Sequence, residues 1–382
     1  MRKVIVFFCI VVGLMICSIC FSLGQELVKR ADVTIYIPDK SYKGYTLYNS
    51  RPREEAVLID MNGNIIHRWS YPQGFQWENS ELLPNGNIIV LIPNDYRKRI
   101  GGMLFELDWD SNLVWKMNIA VHHDFEKLEN GNFLVICHER VINNAVGSYI
   151  LESDCLIEIT PKEKVVWEWH TDQHALELKN FVDVDFPIPI RVKEKLFPRP
   201  LNDWAHTNSV EVLRDNPSAK KDSRFKKGNI LFSPRNTNTI GVIDRETGKI
   251  VWAWGPGELE KQHNPTMLNN GNILIYDNGI KEKRGYTRII ELNPLTEKIV
   301  WEYKAAPPKS FFSPIMGGCQ RLPNGNTFIV DSTGGRLFEV TPAGEIVWEY
   351  LNPDLLPNGT RMRIYRSLRY SQKFVEQILS SK

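Results

Sequence analysis

One hairpin-like unit recurs six times along the chain, and this repetition constrains the fold more than any other feature of the sequence. It reads IDMNGNIIHRW (59–69), LDWDSNLVWKM (107–117), IEITPKEKVVWEW (157–169), IDRETGKIVWAW (243–254), LNPLTEKIVWEY (292–303) and VTPAGEIVWEY (340–350). The matched positions are His67, Trp115, Trp167, Trp252, Trp301 and Trp348, at intervals of 48, 52, 85, 49 and 47 residues. A second unit precedes five of the copies: LLPNGNIIV (82–90), KLENGNFLV (127–135), KKGNILF (226–232), MLNNGNILI (267–275) and RLPNGNTFI (321–329). Asn-Gly tolerates the positive φ that a two-residue hairpin turn demands, and the flanking Val, Ile, Leu and Phe form buried strands. Two hairpins per repeat make a four-stranded sheet with the period of a propeller blade, about 45–50 residues. The sequence thus predicts an all-β protein, a six-bladed β-propeller of four-stranded antiparallel blades over residues 45–370. The tryptophans are expected to pack between neighbouring blades. The stretch Met362–Tyr370 is expected to return and complete the first blade.

Around this body lie a short lead-in (25–44), a tail (371–382) and two insertions in the long third interval. Thr171–Asp203 is rich in Phe, Pro, Ile and Val and reads as a lid or rim, or as a surface elaboration. Asp215–Lys227 is polar and reads as a longer hairpin loop. At the N-terminus Arg2 and Lys3 precede a charge-free apolar run, Val4 to Gly24, the pattern of a signal peptide or a membrane anchor. The body is therefore expected outside the cytoplasm, with membrane contact through residues 4–24 if the segment is uncleaved. Cys137 and Cys155 fall on neighbouring predicted strands and form a disulfide candidate, the alternative being two buried thiols. The net charge of +2 and the lack of a basic aromatic module exclude nucleic-acid binding as an expectation.

The inner strand of each blade lines the channel, so residues from several blades converge at one mouth. Eight residues before the glycine of each Asn-Gly turn stand Glu78, His123, His263 and Gly317, and DWAHTNSV places His206 at the corresponding point of the fourth blade. His122 beside His123 faces the other way on a strand, and the register favours His123. Arg235, ending the next strand of the fourth blade, reads as an anion clamp near these histidines. Three histidines can also hold zinc, a reading that Arg235 opposes, so no metal is expected. No vicinal cysteine pair or acidic calcium cluster of the quinone-dependent propellers is present, and no cofactor is expected.

These residues resemble the bacterial arylsulfate sulfotransferases, six-bladed propellers that need no nucleotide sulfate donor. The resemblance covers about residues 45–350 and rests on Asp203-Trp204-Ala205-His206-Thr207-Asn208-Ser209, on Ser233-Pro234-Arg235, and on Gln262-His263 after WAWGPG. It implies His263 as the nucleophile that carries the sulfuryl group. It implies that His206, Asn208 and Arg235 contact the sulfate, that His123 lines the site, and that Thr207 contributes. The activity so implied is ping-pong sulfuryl transfer from an aryl sulfate donor to a phenolic acceptor. Imidazole suits the step because it is neutral near pH 7 and nucleophilic. The alternative is a non-catalytic propeller that binds an anionic or sulfated ligand or scaffolds a membrane assembly.

Overall fold

Six sheets of four antiparallel strands follow one another along the chain in the computed structural model, which describes residues 32–95, 100–142, 150–181 and 201–382. The apolar segment 4–24 lies outside the described residues. Among those described, no helix is long and apolar enough to cross a membrane. Blade I holds Gly44–Arg51, Glu55–Ile59 and Ile65–Ser70, and its innermost strand is Arg363–Ser371 from the far end of the chain. Tyr45 pairs with Tyr370 and Leu47 with Leu368, so the ring closes by main-chain hydrogen bonds between its two ends. In blades II to VI the strands run outward in chain order, with inner strands Asn79–Leu82, Val121–Lys127, Thr207–Val212, His263–Met267 and Gly318–Arg321.

Burial follows from the stacking of blades. The second strands Ile230–Pro234, Ile273–Asp277 and Thr327–Asp331 are buried at every residue, because both faces meet a neighbouring blade. Outer strands alternate, as Leu113–Met117 does, because one face meets solvent. The repeated aromatic positions lie between blades and reach for the next one. His67 Nε2 bonds to Trp109 O at 2.7 Å, and the indole N–H groups of Trp167, Trp301 and Trp348 donate to Arg245 O, Pro342 O and Met61 O at 3.1, 2.8 and 2.8 Å. Trp252 donates to Glu297 at 3.3 Å, and the Trp115 ring sits 5.1 Å from Phe133 of blade III. Trp167, Trp252, Trp301 and Trp348 thus combine apolar contact with a polar bond to the neighbouring blade, while the Trp115 indole donates to Glu106 of its own blade at 2.8 Å.

The turns differ from the two-residue expectation. Leu83 N–H donates to Asn87 O at 2.8 Å and Gly86 N–H to Leu83 O at 2.9 Å, which makes a three-residue loop. Gly86 alone takes the left-handed conformation (φ 84°), and Gly131, Gly271 and Gly325 repeat it. The asparagine after each glycine has its own task. Asn87, Asn132, Asn272 and Asn326 donate from Nδ2 to Glu106, Glu158, Glu291 and Glu339 at 2.6, 2.5, 2.6 and 2.6 Å. Each glutamate lies on the third strand of the same blade, so the hairpin tip and the sheet lock together.

Four features extend the plain propeller. Val33–Tyr36 adds an outer strand to blade VI. Residues 171–181 form a 3-10 turn and the helix Ala175–Phe181, whose Ala175 and Leu178 pack with Trp169 and Trp204. This part of the segment Thr171–Asp203 is a side elaboration of blades III and IV, and its residues 182–200 lie outside the described residues. Residues 215–227 fold as a structured hairpin loop in which Phe225 is buried against Trp252, ring centres 5.4 Å apart. The tail ends in the helix Gln372–Leu379, capped by Ser371 Oγ, which accepts from Phe374 N–H at 3.2 Å. Its Val375 and Ile378 join the core between blades I and II.

Candidate active site

The inner strands of blades III, IV and V bring His123, His206 and His263 to the same end of the ring. His263 opens its strand, His206 immediately precedes its own, and His123 lies three residues into Val121–Lys127. The strands are irregular at this point: pairing shifts register opposite His123, between Thr207 and Val210, and between His263 and Thr266. His123 (φ 61°), His206 (φ 51°) and Asn264 (φ 47°) all take left-handed backbone conformations, which non-glycine residues adopt at a cost. The bulges turn side chains off the sheet faces toward one another. The rings of His123 and His206 meet edge to face at 4.8 Å.

His263 is buried, and its Nδ1 lies 2.7 Å from Asn278 Oδ1 and 3.1 Å from Lys261 O. Asn278 Nδ2 donates to Ser313 O and Met316 O at 2.7 and 2.8 Å, which orients the amide with its oxygen toward His263. Both neighbours of Nδ1 are therefore acceptors, so Nδ1 carries the proton and Nε2 carries the lone pair. Burial, with Arg235 nearby, holds the pKa of this imidazole well below its usual value, and the ring is neutral.

His206 is the opposite case. Burial works against its charge, but the Asp203 carboxylate, 2.5 Å from Nδ1, outweighs burial and raises the pKa. Asp203 arrives by way of the insertion, whose last residues Leu201–Asp203 run as a short parallel strand beside blade III. His123 is kept neutral by burial and by the surrounding imidazoles, and its Nδ1 is 2.5 Å from Nδ1 of His122. The two adjacent rings touch at Nδ1 but have different neighbours: His123 meets His206 and Tyr365, whereas His122 stacks on His138.

Arg235 opens a 3-10 turn after blade IV's second strand and donates to Asn236 Oδ1 at 3.1 Å and Pro314 O at 3.5 Å. Among the described residues no carboxylate is in ion-pair contact with it, and burial lowers its pKa. Thr207 Oγ1 is buried with no protein partner. Asn208 Nδ2 donates to Gln262 O at 2.8 Å, so this side chain is tied to the residue before His263, and its Oδ1 has no protein partner. A zinc ion among the three histidines would face Arg235 and a charged His206, which disfavours that reading on charge.

Several residues at the site were not reached from the sequence. Asn278 orients His263. Lys261, whose pKa burial lowers to about 8, shares the Asn236 oxygen with Arg235, from 3.1 Å. Tyr365 and Arg366 come from the closing strand; Arg366 pairs with Asp124 and donates to Asn208 O at 2.8 Å. Only Asn278 had a local signal, as the residue just after the fully buried strand Ile273–Asp277. Glu78 is buried near Arg366 and Arg51, where burial raises its carboxyl pKa. Gly317 is positioned so that a Cβ would stand 2.5 Å from the Tyr276 ring.

The cysteine expectation is corrected in part. Cys137 and Cys155 are cross-strand partners, yet both are free thiols. The Cys155 thiol lies 3.6 Å from the Cys137 carbonyl oxygen and also contacts the Cys137 side chain, which with burial pushes its pKa up.

Comparison with known proteins places the chain. Residues 79–353 match the family model described as Arylsulfotransferase (ASST). No curated protein matches the sequence. Among solved structures, a protein of unknown function from Bacteroides caccae is 14% identical and aligns over 86% of this chain and 98% of its own, with a TM-score of 0.54. Virginiamycin B lyase from Staphylococcus aureus, solved with quinupristin, is 12% identical over 83% of this chain and 87% of its own, with a TM-score of 0.45. At 14% identity the likeness to the Bacteroides caccae protein is one of fold.

Proposed function

This chain belongs to the arylsulfotransferase (ASST) family, and from that premise we propose that it moves a sulfuryl group from an aryl sulfate to a phenolic acceptor through a sulfohistidine at His263. The observation that carries the reading is the bond from His263 Nδ1–H to Asn278 Oδ1, 2.7 Å long, which leaves Nε2 free to attack sulfur. As the N–S bond forms, positive charge develops on the ring and Asn278 Oδ1 and Lys261 O face it. Negative charge on the sulfuryl oxygens meets the unpaired Arg235 guanidinium, with the Thr207 hydroxyl as a further donor. His206, charged through Asp203, gives its proton to the departing phenolate and later takes one from the incoming phenol. Asn208 acts on the position of the His263 strand, and His123 buttresses His206.

The leaving phenol departs before the acceptor binds, and the acceptor oxygen then attacks sulfur as the N–S bond breaks. The charge-free run Val4–Gly24 supports export of the chain. Outside the cytoplasm a nucleotide sulfate is out of reach, which suits a donor that is already a sulfate ester. The test is release of a chromogenic phenol from an aryl sulfate with and without a second phenol. Release that rises with acceptor and is abolished by His263→Asn is expected. Release indifferent to acceptor would mean hydrolysis and overturn the transfer, and absent release would leave a non-catalytic anion-binding propeller.

A further inference from the structure

Behind His123, on the far side of His122, three polar side chains of blade III converge without a ligand of their own. His122 lies on the first strand, His138 on the second and Asp154 on the third, and His138 and Asp154 are direct cross-strand partners. Asp154 Oδ1 is 3.2 Å from His122 Nε2 and 3.7 Å from His138 Nδ1. Both ring nitrogens are buried and make no hydrogen bond within the protein. His122 and Asp154 are each only 1% exposed. A buried polar atom left unsatisfied costs about 1–3 kcal/mol, and here two such nitrogens and a carboxylate oxygen point at one spot.

We propose that His122 Nε2, His138 Nδ1 and Asp154 Oδ1 form a binding site for one divalent first-row transition metal ion, zinc above all. Two imidazoles and one carboxylate are a donor set that zinc takes, with a fourth position left open. The three donor atoms already lie within 4.8 Å of one another. Zinc bonds of about 2.0–2.2 Å hold neighbouring ligand atoms roughly 3.3–3.5 Å apart in a tetrahedron. Loading therefore needs the His122 and His138 rings, now stacked nearly parallel 3.5 Å apart, to rotate well out of parallel so that their lone pairs converge on one ion.

Two further observations fit. Asp154 is anchored from behind, its Oδ2 accepting from Thr207 N–H at 2.6 Å, as a supporting shell should do. A cavity of about 190 Å³ lined by Asn94, His138, Glu139, Arg140 and Glu152 lies against His138, and Glu152 Oε1 stands 3.8 Å from His138 Nδ1. The neighbouring trio Glu139, Cys155 and His170 differs, because His170 Nδ1 already bonds Glu139 at 2.9 Å.

The ion would also fix a tautomer. Metal on His122 Nε2 leaves the ring proton on Nδ1, which then donates to His123 Nδ1, 2.5 Å away. His123 in turn carries its own proton on Nε2. The metal end and the anion end of the cluster are thus separated by two imidazole rings.

The test uses the full-length chain, stripped with chelator and then titrated with Zn²⁺ alone. Calorimetry and elemental analysis after gel filtration are expected to give one retained equivalent, and Co²⁺ in its place is expected to show the visible absorption of a four-coordinate site. His138→Gln and Asp154→Asn should each weaken Zn²⁺ binding by at least about 100-fold, while His170→Gln leaves it unchanged. Melting of the metal-free variants checks that they fold. Equal affinity in His138→Gln, or a wild-type chain with no retained Zn²⁺ and no Co²⁺ spectrum, would overturn the site. The readout is metal and not turnover, so the outcome is independent of sulfuryl transfer.

Discussion

Replacing Asn278 by Ala removes three hydrogen bonds at once, those to His263 Nδ1, Ser313 O and Met316 O at 2.7, 2.7 and 2.8 Å. Two of the orphaned groups keep a weaker partner: His263 Nδ1 retains Lys261 O at 3.1 Å, and Ser313 O retains Thr287 Oγ1 at 3.4 Å. With about 1–3 kcal/mol for each buried group left wanting, the stability loss comes to roughly 2–4 kcal/mol once the surviving contacts are allowed for. The effect on chemistry is separate. Without the amide oxygen, nothing but one long bond keeps the proton on Nδ1, and the ring is free to turn its lone pair away from sulfur. A lost orienting hydrogen bond to a group that becomes charged is worth about 1.5–3 kcal/mol, or roughly 10–100-fold in turnover. Steady-state assay with a chromogenic aryl sulfate and saturating phenol should therefore show kcat reduced by that factor and KM little changed. An unchanged kcat in a folded Asn278→Ala protein would refute the argument that this asparagine sets the nucleophile.

Arg235→Gln should lower kcat/KM by about 100-fold, since a charge-assisted contact to the sulfuryl group is lost, while raising the melting temperature, because an unpaired buried cation is removed. Both effects are read from one preparation by turnover and thermal melting. Asp203→Asn should move the basic limb of the pH–rate profile to lower pH: Asp203 raises the pKa of His206, so without it His206 loses its proton sooner. On the same inner strand, Glu211 has its pKa raised from 4.5 to about 8, by burial above all. The folded state then holds the proton that the unfolded chain releases, and stability should fall between pH 4.5 and 8 by as much as about 1.4 kcal/mol per unit. Glu211→Gln should flatten that slope in denaturant titrations at several pH values.

The fold was legible because its units repeat. Six aromatic positions at near-constant spacing and five glycine turns determine blade number, strand order and the faces that meet. What stayed hidden was whatever the repeat does not encode. The turn type was misread because the proline or polar residue before Asn-Gly supplies the first half of a three-residue loop. The glutamates that receive the asparagines, Glu106, Glu158, Glu291 and Glu339, sit between apolar residues, and their partners appear only when the hairpin tip is placed over them. At the site, counting from the turns located His123 and His263, and the DWAHTNSV segment located His206. Tyr365 and Arg366 were out of reach, because they enter the channel only when the last strand closes the first blade. The His122, His138 and Asp154 cluster was invisible for a related reason: its members lie on three strands whose register is set by long hairpins.

The central claim is that the sulfuryl group rests on His263 between two half-reactions. Rapid mixing of the enzyme with an aryl sulfate in the absence of acceptor, followed by intact-mass and peptide analysis, tests it directly. The account predicts a burst of phenol equal to the enzyme concentration and a sulfuryl adduct on the peptide that contains His263, discharged when a phenol is added. Phenol release that begins only once acceptor is present, with no adduct on that peptide, would contradict it.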